Sequence, residues 1–137
     1  MRPSLTHIAL HVADLEACAA FYREVCGLGE VHSRGGEELG ERIVWLAEPG
    51  AEARFVLVLL PGGPGERARS GDYSHLGFAV ATREQVDAMA AIGRARGCLA
   101  LDRVDKPYPA GSFCILRDPD GTAVEFSYGQ PLGPGAA

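Results

Sequence analysis

From Leu5 to Val12 the chain is built of strand-forming residues in which Leu10 and Val12 alternate with His7, Ala9 and His11. The period then changes. Behind Asp14, a helix-capping residue, Leu15, Cys18, Ala19, Phe21, Tyr22 and Val25 recur at helical spacing until Gly27 stops the pattern. Strand-like runs follow near residues 28–33, 42–47 and 55–60, punctuated by Gly35-Gly36 and Pro49-Gly50. The first half therefore reads as βαβββ.

Pro61-Gly62-Gly63-Pro64-Gly65 cannot continue a strand ladder, and the polar residues after it extend a linker to about residue 72. From His75 the scheme starts again. Residues 75–80 form a strand pattern, Thr82 and Gln85 a capping box, and Val86, Met89 and Ile92 a helical stripe that Gly97 closes. Strand patterns near residues 99–104, 112–116 and 123–128 complete a second βαβββ, with Asp118-Pro119-Asp120-Gly121 as a tight turn between the last two. His7-x-x-Leu10-x-Val12 recurs as His75-x-x-Phe78-x-Val80, a period of 68 residues that points to internal duplication. The expected fold class is α+β. Two βαβββ modules, about residues 5–60 and 73–129 with linker 61–72, pair their sheets around a concave surface in one domain spanning 1–137, and the Gly/Pro-rich tail 131–137 is expected to fray.

Composition adds mostly exclusions. At 137 residues, 47% hydrophobic and 23% charged, the chain can bury one core without disulfide help. Its formal charge of -5 carries no Lys/Arg run, so no nucleic-acid partner is expected. No apolar stretch approaches the roughly 20 residues of a membrane helix, and the expected location is the cytoplasm. Cys18, Cys26, Cys98 and Cys114 form no C-x-x-C pair and are expected to be reduced and packed.

The candidate chemistry sits on strands. Alternation puts His7, Ala9 and His11 on one face, with Ile8, Leu10 and Val12 in the core; it likewise groups His75, Gly77 and Ala79, and Ala123, Glu125 and Ser127. Small neighbours beside each potential ligand leave room for an ion and a substrate. Two imidazoles and a carboxylate suit one divalent metal ion, Fe, Mn, Zn, Ni or Co, with positions left open. The plainer alternative is a half-buried strand histidine and a hydrogen-bonded carboxylate. His11 is a candidate acid, base or substrate contact, against a packed or supporting role. Trp45, Phe55, Tyr73 and Phe113 fit core better than pocket lining. Lys106, Tyr108 and Ser112 are expected in a loop entering the penultimate strand.

The segments His7-Ile8-Ala9-Leu10-His11-Val12-Ala13-Asp14-Leu15-Glu16, Phe21-Tyr22-Arg23, Gly27-Leu28, Asp72-Tyr73-Ser74-His75-Leu76-Gly77-Phe78 and residues 117–126, Arg117-Asp118-Pro119-Asp120-Gly121-Thr122-Ala123-Val124-Glu125-Phe126, together resemble the vicinal oxygen chelate superfamily. That superfamily holds glyoxalases, bleomycin-resistance proteins and extradiol dioxygenases, and the resemblance spans residues 5–129. It implies His7, His75 and Glu125 as metal ligands and a homodimer in which sites combine strands of both chains; Glu125 and, from the strand alternation above, His11 are the catalytic candidates. Departures narrow the choice. Glyoxalase I takes a further carboxylate from the last strand of the first half, where Phe55-Val56-Leu57-Val58-Leu59-Leu60 has none, and tends to carry Arg where His11 stands. Fosfomycin-resistance transferases share the triad, but Ala9 and Cys114 replace their Thr and Tyr, and no Arg follows Gly129. The common extradiol dioxygenases are about twice this length, as the resemblance implies. The expectation is a metal-dependent enzyme, lyase, isomerase or dioxygenase, acting on a small molecule with vicinal oxygens. The alternative is sequestration of an antibiotic or other natural product without catalysis.

Overall fold

The computed structural model describes residues 1–36, 41–65, 71–133 and 136. It divides into two compact units, Met1–Glu66 and Arg67–Ala137. Each holds one four-stranded mixed sheet and one helix, the expected α+β arrangement of a βαβββ module.

In the first unit β1 (His7–His11) leads through α1 (Leu15–Glu24) to β2 (Gly29–Gly36), β3 (Glu41–Ala47) and β4 (Val56–Leu60). The sheet order is β1-β4-β3-β2, with β1 parallel to β4 and the other pairs antiparallel. Asp14 caps α1, its side chain accepting from the Ala17 amide at 3.0 Å. The helix buries Leu15, Cys18, Ala19, Phe21 and Tyr22 and packs on β3 and β4. Register places Leu10 beside Leu59, Val44 opposite Leu59 and Leu46 opposite Leu57, so one face of the sheet supplies the buried partners.

The second unit repeats the scheme with β5 (His75–Ala79), α2 (Arg83–Arg96), β6 (Leu99–Lys106), β7 (Gly111–Arg117) and β8 (Ala123–Tyr128), in sheet order β5-β8-β7-β6. Thr82 accepts from the Gln85 amide at 3.2 Å, while Gln85 Oε1 accepts from the Ala81 amide at 2.7 Å. Gly97, at φ 69°, ends the helix in the left-handed conformation that glycine adopts without strain. The helix packs on β6, β7 and β8, and Gly93 is what allows the approach: a Cβ there would lie 2.8 Å from Leu116 Cγ. Phe78 and Phe126 stack beneath it, ring centroids 5.7 Å apart.

Several expectations need correction. Gly35 and Gly36 do not separate two strands; they extend β2, pairing with Arg42 and Glu41. Leu10 and Val12 are buried as expected, but Ile8, on the same strand as Leu10, is 39% exposed. Trp45, Phe55 and Tyr73 are exposed rather than core. Ser112 is no loop residue: it lies on β7, buried, and donates to Asp105 across the β6–β7 ladder, while Lys106 ends β6. Part of the expected linker (66–70) and of the expected frayed tail (134, 135 and 137) lies outside the described residues. The tail up to Gly133 returns onto β5, where a Cβ at Gly133 would come 2.8 Å from Ala79 Cβ.

None of the four cysteines is in a disulfide. Cys114 is buried on β7, donates its thiol to the Val86 carbonyl at 3.5 Å, and burial pushes its pKa up to about 11 from 9.0, with Asp102, Asp87 and Glu125 adding to the shift. It is therefore expected to resist a disulfide-exchange reagent at pH 8 in the native protein and to react once urea unfolds it. Because the folded value is the raised one, the associated stability is complete below pH 9 and is lost as pH rises toward 11, which urea titrations across that window would detect. Rapid labelling of native Cys114 would contradict its burial.

Candidate metal centre

Strands β5 and β8 run parallel with His75 beside Ala123 and Gly77 beside Glu125, so the imidazole and the carboxylate rise from the same face one step apart. Gly77 lies between them, and a Cβ at that position would meet nothing within 4 Å. The space above it is open.

The imidazole is held from behind. His75 Nδ1 lies 2.7 Å from the Tyr73 carbonyl oxygen, which only accepts, so Nδ1 carries the proton and donates. In the neutral ring this turns the Nε2 lone pair forward, and Nε2 stands 3.5 Å from Glu125 Oε2. That is longer than the roughly 2.7–2.9 Å of a charge-assisted hydrogen bond. Two ligand atoms each about 2.1 Å from an ion and about 90–110° apart would be separated by about 3.0–3.4 Å, close to the observed gap. A basic nitrogen and a carboxylate oxygen facing each other across it suit a divalent cation, and the donor set thus fits the implied ion. The Glu125 side chain is only 9% exposed, and its other oxygen, Oε1, accepts from Gln130 Nε2 at 2.9 Å. A buried carboxylate needs such partners, or a cation, to offset the cost of leaving water.

No third His, Cys, Asp or Glu joins the pair among the described residues of this unit. His7 and His11 stand in the first unit, exposed on one face of β1, in register with Val56 and Leu60. His7 Nδ1 lies 2.9 Å from Thr6 Oγ1. The same face is floored by the apolar cluster Ala47, Val56 and Val58, with Val31, Ile43 and Leu60 packed against it. The two modules share one register: Ala9 faces Val58 as Gly77 faces Glu125. Val58 is therefore the register counterpart of Glu125, and the first module has no acid at that position.

The sequence reading missed Gln130. Its position just past β8 carries no periodicity, and Gly129, at φ 87°, reverses the chain to bring it back over Glu125. It also lines a cavity of about 400 Å³ in the second unit, together with Ala79, Tyr108, Ser127 and Leu132. Tyr108 thus reaches a cavity wall from the loop where the sequence placed it.

Residues 4–126 match the model of the Glyoxalase/Bleomycin resistance protein/Dioxygenase superfamily, and the chain belongs to that family. Over 136 residues, 99% of this chain and 96% of the relative, it is 55% identical to Uncharacterized protein PA2024 of Pseudomonas aeruginosa. Among solved structures it is similar to a glyoxylase/bleomycin resistance protein/dioxygenase domain from Frankia, with TM-score 0.71, 22% identity, and 95% of this chain and all of that one covered. It is also similar to the fosfomycin resistance protein FosX of Listeria monocytogenes in complex with Mn(II) and sulfate, with TM-score 0.69, 21% identity and 92% of both chains covered. At these identities the structural likeness establishes the fold.

Proposed function

We propose that the protein is a divalent-metal-dependent enzyme acting on a small molecule with vicinal oxygens, by lyase, isomerase or dioxygenase chemistry. The observation that carries this reading is the His75 Nε2 and Glu125 Oε2 pair, 3.5 Å apart, each oriented by a hydrogen bond to its other heteroatom. His75 and Glu125 would hold the ion, with His7 as third ligand from this chain or from a second copy in a homodimer, as the family resemblance implies. The ion would bind vicinal oxygens and stabilise negative charge developing on them. The chain's own groups do the rest. The Tyr73 carbonyl fixes the imidazole, burial keeps the carboxylate out of competition with water, and His11, exposed on the same face of β1 as His7, would exchange a proton with a bound substrate.

A Glu-to-Gln mutant of FosX, a relative in fold, has been solved with Mn(II) and 1S,2S-dihydroxypropylphosphonic acid, a vicinal diol. That precedent supports the substrate class and not the particular substrate. The test is elemental analysis of the purified protein, before and after reconstitution with Fe(II), Mn(II), Co(II), Ni(II) and Zn(II), beside His7→Ala. About one ion per chain, with weaker retention in His7→Ala, is expected. Absence of stoichiometric metal under every condition would refute the enzyme reading and leave natural-product sequestration as the better account.

A further inference from the structure

We infer that Gln130 is a positioning residue for the Glu125 carboxylate, dedicating Oε2 to the metal by occupying Oε1; this rests on the metal-site reading above. A carboxylate on a strand has two chemically equal oxygens and a soft terminal torsion, so nothing in β8 itself selects which oxygen faces His75 or whether both do. The Gln130 amide removes that freedom. Its Nε2 donates to Oε1 at 2.9 Å while Oε2 faces His75 Nε2 at 3.5 Å, and Glu125 is buried enough that water competes poorly for Oε1.

The donor is delivered by backbone geometry. Gly129 adopts φ 87°, which an L side chain rarely tolerates, and turns the chain at the end of β8 so that the residue five places after Glu125 returns above it. Because an amide oxygen would repel the carboxylate, the nitrogen is the end that must face Oε1. His75 is fixed in the same manner by the Tyr73 carbonyl, so each member of the pair has one heteroatom tied to the protein and one free. With Oε1 tied, Glu125 binds through a single oxygen and leaves more positions on the ion for substrate.

The test uses Co(II), whose visible bands report ligand geometry. Apo-protein would be titrated by chelator competition as wild type, Gln130→Leu and Gln130→Ala, with the urea midpoint of each apo form measured alongside. Both variants are expected to bind Co(II) roughly 10-fold more weakly, the scale of losing such a supporting hydrogen bond. Their bands should change; the apo midpoints should fall modestly, because the buried carboxylate loses its donor, and affinities are therefore compared where each apo form is fully folded. Affinity within twofold of wild type and unchanged spectra in both variants would overturn the positioning role while leaving the metal site standing. Failure of the wild type itself to bind Co(II) would overturn the metal reading and this inference with it.

Discussion

Glu125→Gln is expected to abolish metal-induced stabilisation while leaving the metal-free protein as stable as wild type or more so. The two halves of this result come from one fact, the burial of a charge. In the apo-protein the Glu125 carboxylate, 9% exposed, faces His75 Nε2 at 3.5 Å and, among the described residues, accepts a hydrogen bond from Gln130. A carboxamide of the same shape carries no charge to desolvate and can donate toward Nε2, so the apo fold gains or breaks even. Metal binding loses its only anionic ligand of the three proposed. His75→Ala removes the neutral donor on the other side of the gap. Each change is expected to weaken binding by more than about 100-fold, beyond the 10- to 100-fold typical of losing a supporting residue.

The measurement is the thermal midpoint with and without Mn(II). At a metal concentration 100 times Kd, a ligand that binds only the folded state adds about 2.7 kcal/mol, a shift easily seen in wild type and absent in both variants. If Glu125 were merely a hydrogen-bonded strand carboxylate, Mn(II) would move neither wild type nor variant. If Glu125→Gln bound the ion as tightly as wild type, the assignment of Glu125 as a ligand would fail even with the rest of the site intact.

The sequence foretold both helices and all eight strands of the described residues because their determinants are local. Asp14 and Thr82 announce helix starts through side chains that reach three residues ahead, and Gly97 announces an end through a φ only glycine takes easily. Period two put His75 and Gly77 on one face, and Glu125 on one face with Ser127. What alternation could not supply was register. Only the parallel pairing of β5 with β8 brings His75 and Glu125, 50 positions apart, within one gap, and only the matching β1–β4 register identifies Val58 as the position where the first module lacks an acid. Exposure was also illegible: Trp45 and Phe55 have strand-forming, apolar side chains, yet they lie in the open. Gln130 was hidden for a different reason. A polar residue between Gly129 and Pro131 reads as the start of a loose end, whereas here the positive φ of Gly129 is what returns it to the site.

That end of the second unit also carries the largest expected stability effect. Gly111, opening β7, has φ 68° and lies so close to β8 that a Cβ would fall 2.3 Å from the Tyr128 carbonyl oxygen and 3.1 Å from Gly129 C. Both obstacles are backbone, held by the antiparallel pairing of Ser112 with Tyr128, and neither can rotate aside as a side chain would. Gly111→Ala therefore combines left-handed strain of about 1–2 kcal/mol with displacement of a strand end of about 1–3 kcal/mol. A loss on the order of 3 kcal/mol or more in urea unfolding is expected. Gly27→Ala is the matched control: its φ is 74° but a Cβ there meets nothing within 4 Å, so it should cost only the strain, about 1–2 kcal/mol. Equal losses in the two variants would mean that the close approach of β7 to β8 does not exist. The displaced atoms belong to Tyr128 and Gly129, immediately before Gln130. Gly111→Ala is therefore expected also to weaken metal binding, linking the packing of a strand end to the orientation of the carboxylate.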